Sequence, residues 1–142
     1  MDEAPPTTCQ SEIRVRYAET DRMGVVYHAN YLVWCEIGRT DFIRAHVASY
    51  ADLESRGVML AVSEASIRYL RGARYDDRVE IRTRLLDLRS RSMRFGYELV
   101  HAGRGDRLAT AETSLICLSG DGRPASLPGW LREALGPLVR PS

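Results

Sequence analysis

At 142 residues, 44% hydrophobic and 27% charged, the chain suits one globular domain able to bury about two-thirds of its unfolded surface without a metal or disulfide staple. A net charge of +1 sets up no global field for gathering nucleic acid, and three widely spaced cysteines without a CxxC argue against a disulfide framework or a zinc site. No stretch nears the roughly 20 apolar residues of a membrane span, and "MDEAPPTTCQ" has no signal-peptide pattern, so the cytoplasm is the expected compartment.

In chain order, residues 1–10 read as a flexible arm, 11–136 as a single domain and 137–142 as a tail. "SEIRVRY" (11–17) alternates Ile13, Val15 and Tyr17 against Glu12, Arg14 and Arg16, the period of a half-buried strand. A loop over 18–26 leads into a helix from about residue 28 to 46. Its stripe of Tyr31, Trp34, Cys35, Gly38, Phe42 and Ala45 spans about 100°. Leu32, Val33, Ile37 and Ile43 lie outside that stripe, so the helix is expected to be wrapped by the rest of the fold. The pair Glu36 and Arg39, at i and i+3, reads as an ion pair on the helix surface or at a subunit contact.

"SYADLESRG" predicts a short helical turn stopped by Gly57. Four strand-like runs follow, at about 58–70, 78–88, 92–101 and 107–118, with hairpin connections at "RSRS" (89–92) and "AGRGD" (102–106). Ala109, Ala111 and Thr113 put small side chains on one face of the last strand, as close approach of a helix would require. "GDGRP" is a turn, and "LPGWLREAL" a candidate final helix. One helix cannot cover both faces of a five-stranded sheet. The sheet is expected to curl around it and to offer an edge or a face to a second subunit.

The chemistry-bearing stretch is "YAETDRMGVVYHANYLVW" (17–34). Its pattern of Tyr17, Asp21, Gly24, Val25, Val26, Tyr27, His28, Asn30 and Tyr31, continuing to Glu36 and Arg39, resembles the hotdog-fold acyl-CoA thioesterases. The likeness is greatest to the 4-hydroxybenzoyl-CoA thioesterase branch. The resemblance covers about residues 11 to 120 and implies an α+β hotdog fold, a curled antiparallel five-stranded sheet around one long central helix. It implies hydrolysis of acyl-CoA thioesters without a cofactor or metal, in a homodimer or homotetramer whose active site lies between subunits. Asp21 matches the catalytic carboxylate and the backbone N–H around His28 the group that polarises the thioester carbonyl. Tyr17 and Gly24 complete the catalytic set, and Val25, Val26, Tyr27, Tyr31 and Met59 would line the substrate pocket.

Elementary chemistry points the same way for the first two. N–H groups at a helix start lack partners within the helix and carry positive partial charge, which suits an oxyanion. Gly24 permits loop conformations that other residues resist. Direct attack by Asp21 and deprotonation of water both fit the pattern, and the His28 ring could orient water or merely pack. The rival reading makes Asp21 a cap of a turn or of the helix. Glu64, on a strand, is the second candidate acid. A serine elbow is absent, and Cys35 belongs to the apolar stripe.

All 20 basic residues are arginine. Nine lie between 68 and 94, where four acids leave +5. Most read as solvated strand face. In the tight connection Arg89, Ser90, Arg91 and Ser92, two guanidinium forks and two hydroxyls could grip coenzyme A phosphates. No aromatic platform is interleaved with them, so nucleic acid is not an expected partner. An acyl-carrier-protein thioesterase and a non-catalytic acyl-CoA-binding hotdog domain are the alternative readings.

Overall fold

A computed structural model describes residues 8–141, so residues 1–7 of the expected arm lie outside it. The elements are β1 (Cys9–Arg14), α1 (Asn30–His46), α2 (Tyr50–Ser55), β2 (Met59–Tyr69), β3 (Arg78–Leu88), β4 (Ser92–His101), β5 (Arg107–Leu118) and α3 (Gly129–Leu135). All strands pair antiparallel in the order β1-β3-β4-β5-β2, leaving β1 and β2 as the edges. This is the curled sheet around one long helix that the sequence leads one to expect.

Alternation decides which side of the sheet meets the helix. Val79, Ile81, Thr83 and Leu85 on β3, and Met93, Phe95, Tyr97 and Leu99 on β4, are buried against α1. Arg82, Arg94 and Glu98 turn to the other face, where Arg82 bridges Glu80 and Glu98 and Arg94 meets Glu112. Irregularities between Val62 and Glu64, Leu85 and Asp87, and Leu99 and Val100 break the register and sharpen the bend of the sheet.

The closest approach of helix to sheet falls on β3, not on the small residues of β5. A Cβ on Gly38 would lie 2.3 Å from Thr83 Oγ1 and 2.8 Å from Ile81 Cγ2, so only glycine lets α1 sit this low. Ala109, Ala111 and Thr113 are buried as well, but Thr113 spends its hydroxyl on Tyr97, 2.6 Å away.

Four boundaries or faces depart from expectation. β1 starts at Cys9 and ends at Arg14. Tyr17 leaves the strand in a 3-10 turn and is 78% exposed, because the chain turns as soon as Val15 has bonded Asp77. On α1, Ala45 is exposed while Ile43 and Arg39 are buried, and Val33 and Ile37 remain open, so one chain alone does not wrap the helix. Arg39 is 8% exposed and lies beside the Tyr97 and Tyr50 hydroxyls, and no ion pair joins it to Glu36 among the described residues. It follows Gly38 on the sheet-facing side, which takes it away from the surface pairing expected of it. At the C-terminal end, residues 136–138 form a 3-10 turn. Leu138 and Val139 pack on the core, so the described part of the tail is attached.

Candidate active site

The Asp21 loop hangs beyond the C-terminal end of β2. Thr20 and Val26 form an isolated bridge, Val25 pairs with Arg74, and Val26 N–H bonds Ala73 O at 2.9 Å. Within the loop Gly24 takes φ +79, a conformation L side chains resist. Asp21 Oδ1 accepts from Met23 N at 2.8 Å and Val25 N at 3.4 Å, and Asp21 O accepts from Gly24 N at 3.0 Å. Asp21 therefore does cap a turn, its own, and not the helix. One carboxylate oxygen does that work. Oδ2 makes no protein hydrogen bond among the described residues, and the side chain is exposed.

The helix begins two residues later than its sequence pattern indicates. Asn30, Tyr31 and Leu32 N–H bond back to Tyr27, His28 and Ala29 O, a tight i to i+3 start that precedes the first full α-turn. The N–H groups of His28 and Ala29 have no protein acceptor among the described residues, and both residues are exposed. They are the outward-pointing donors of the helix start. The His28 ring lies tilted against Tyr27, centroids 4.4 Å apart, and Tyr27 is half-exposed.

Sequence reasoning missed what ties the loop to the helix. Glu19 is 5% exposed, with Oε1 accepting from Arg16 N at 2.8 Å and Oε2 from Trp34 Nε1 at 2.9 Å. Its backbone O accepts from Tyr27 N at 2.8 Å and from Asn30 Nδ2 at 2.9 Å. One residue thus fixes the segment before Asp21, the segment before His28 and the flank of α1. A signal existed: a tryptophan in the helix stripe needs an acceptor for its buried N–H. Tyr69, at the end of β2, was also missed, and its hydroxyl bonds His28 O at 3.0 Å.

The structure brings Asp21, Gly24, Val25, Val26, Tyr27, His28 and Tyr31 together at one end of the molecule. Tyr17 lies on the same loop and meets Tyr75 edge-on at 5.8 Å. Val26 and Tyr31 are core rather than open wall. Tyr31 is 2% exposed, and its hydroxyl accepts from Ala73 N at 3.0 Å. Met59 and the 89–92 connection lie at the opposite end. Met59 starts β2 and Tyr69 ends it, about 30 Å apart at strand spacing. Ser92 shares a cross-strand row with Ile116 and Ala61, near Met59. Arg89 is paired with Asp87 at 2.9 Å. Glu64 stands exposed on β2 beside the register break.

Among the described residues no three His, Cys, Asp or Glu side chains come together as a metal site, and no helix is long and apolar enough to cross a membrane. What the loop offers is a carboxylate with one free oxygen, near a helix start with two unsatisfied donors. Such a pair can activate a nucleophile and stabilise the oxyanion it generates.

A curled antiparallel sheet over one long helix defines the hotdog architecture, and here it carries an acid loop at the helix start. The chain belongs to the thioesterase-like superfamily, whose family model matches residues 15–135. It is 39% identical over 109 residues to the putative acyl-CoA thioesterase YneP of Bacillus subtilis, covering 77% of this chain and 78% of that one. It is 36% identical over 106 residues to the acyl-CoA thioester hydrolase YbgC of Escherichia coli, covering 75% and 78%. The crystal structure of the hypothetical protein TT1821 from Thermus thermophilus superposes with a TM-score of 0.87 at 38% identity, covering 94% of this chain and 98% of that one.

Proposed function

We propose that this chain hydrolyses acyl-CoA thioesters to the free acid and coenzyme A, with Asp21 as the catalytic carboxylate and the His28 and Ala29 N–H groups as the oxyanion site. The observation that carries the reading is the division of labour within Asp21: Oδ1 holds the loop while Oδ2 stays free toward solvent. The carbonyl oxygen of the thioester would take the two N–H donors at the helix start, each worth about 3 kcal/mol to an oxyanion when well placed. Asp21 either takes a proton from the attacking water or attacks the carbonyl carbon itself. In both routes the C–S bond breaks, the thiolate leaves, and water supplies the new carboxylate oxygen. The relatives named as acyl-CoA thioester hydrolases support the substrate class.

We further propose that the working unit is a homodimer or homotetramer. β2 is an open edge with Met59, Val62 and Tyr69 exposed along it, and Val33 and Ile37 stand open on α1. Two-fold antiparallel pairing of β2 edges would set the start of one β2 against the end of the other. Met59 and the 89–92 connection of one chain would then lie toward the Asp21 loop of its partner, where Arg89, Ser90, Arg91 and Ser92 could hold coenzyme A phosphates. The three free cysteines fit a cytoplasmic enzyme.

The test of the catalytic reading is Asp21→Asn. Asparagine keeps the Oδ1 acceptor for Met23 and Val25, so the loop should hold and melting should stay near wild type. It can neither attack nor take a proton, and kcat on a short acyl-CoA should fall at least about a hundredfold. Full activity in a folded Asn variant would return Asp21 to a loop cap.

A further inference from the structure

Tyr69 is placed where it can set the direction of a backbone donor without touching the substrate's reacting atoms. It is the last residue of β2, registered against Ala109 of β5 and so carried on the sheet, not on a loop. Its hydroxyl meets His28 O at 3.0 Å. A carbonyl can only accept and a phenol is protonated at neutral pH, so the tyrosine donates. The ring is gripped on two sides, edge-on to Tyr31 at 5.3 Å and to His28 at 6.2 Å. Tyr31 is itself pinned through its hydroxyl to Ala73 N at 3.0 Å.

The consequence follows from peptide planarity. The His28 carbonyl and the Ala29 N–H belong to one flat trans peptide and point in opposite directions, so fixing the first fixes the second. Apart from Tyr69, the His28 carbonyl has only the long bond from Tyr31 N, 3.3 Å, at the tight start of the helix. This peptide lies on the exposed side of the molecule, in a turn where a modest rotation would swing the N–H away from the helix axis. Electrostatic stabilisation of an oxyanion depends on donors that are already aimed. A rigid strand end supplies what the turn lacks.

We propose that Tyr69 is a positioning residue for thioester hydrolysis: its hydroxyl locks the His28–Ala29 peptide and so aims the Ala29 N–H at the developing oxyanion. This rests on the oxyanion reading given above. The lock acts on the transition state, because the charge it serves grows only as the carbonyl carbon becomes tetrahedral.

Tyr69→Phe removes the hydroxyl and keeps the ring, and the side chain is 44% exposed, so the fold should survive. The variant should show kcat lowered about three- to tenfold, the range for losing one neutral hydrogen bond, with KM for a short acyl-CoA unchanged within about twofold. An S-alkyl-CoA thioether has no thioester carbonyl, and its Kd should be the same for both proteins. A fully folded Phe variant with wild-type kcat overturns the proposal, whether or not its Tm has dropped. So does a rise in KM or in the thioether Kd at constant kcat, since that is a substrate contact. Asp21→Asn keeps the two ideas apart. If it hydrolyses at the wild-type rate, the catalytic reading itself fails. If it is inactive while Tyr69→Phe is fully active, only the Tyr69 lock fails.

Discussion

Glu19→Gln probes the joint between loop and helix. The wild-type carboxylate presents two acceptors to two fixed donors, Arg16 N at 2.8 Å and Trp34 Nε1 at 2.9 Å. An amide of the same shape has only one oxygen, so its NH2 must face one of those donors. At a residue 5% exposed, no water replaces the lost bond easily. A buried polar group left unsatisfied costs about 1–3 kcal/mol, which for a domain of this length lowers Tm by about 3 °C per kcal/mol, or roughly 3–9 °C. Melting followed by far-UV circular dichroism at fixed protein concentration measures it, and kcat on a short acyl-CoA shows whether Asp21 has shifted with its loop. Trp34→Phe provides the internal control. In the double variant the glutamine NH2 can face the ring where the indole donor was, so the double should be more stable than the sum of the singles by about 1 kcal/mol. A Glu19→Gln protein melting within a degree of wild type, or strictly additive singles, would refute the joint.

Three more outcomes are expected. Burial pushes the Cys35 thiol up to about 12 and the Tyr97 phenol up to about 12, from ordinary values of 9.0 and 10.0. The unfolded chain sheds these protons first, so stability should be intact below about pH 9 and fall as pH rises from there toward 12; a Tm unchanged between about pH 8 and pH 10.5 would contradict it. Replacing Arg89 and Arg91 by Ala should raise KM for CoA thioesters and leave turnover of a truncated pantetheine thioester almost untouched. If sites are built across β2 edges, mixed and re-annealed Asp21→Asn and Arg89→Ala/Arg91→Ala subunits should regain activity above that of either parent at CoA-thioester concentrations below the raised KM, because one hybrid site is wild type. No regain, or a stable active monomer of 16.0 kDa by light scattering, would confine the site to one chain.

The sequence by itself determined the elements and marked the Asp21 loop as the candidate site. Period-two alternation in β3 and β4 needs nothing beyond local pattern to sort inward from outward residues, and the long run from Asn30 to His46 can only be a helix. Asp21, Gly24 and His28 were legible because their roles depend on neighbours in the chain: a turn, a positive φ and a helix start. Tertiary structure decided whatever depends on partners distant in sequence. Glu19 looks like any loop acid until Trp34, fifteen residues on, brings it a buried donor. Arg39 looks like a surface cation until Gly38 draws the helix down onto Thr83 and carries its neighbour inside. Tyr69 looks like the end of an edge strand until the sheet's curl places its hydroxyl on a carbonyl 41 residues away. The separation of Met59 and Arg89–Ser92 from Asp21 is of the same kind. A motif fixes the order of residues along the chain, but only strand length and sheet order fix which end of the molecule each residue occupies.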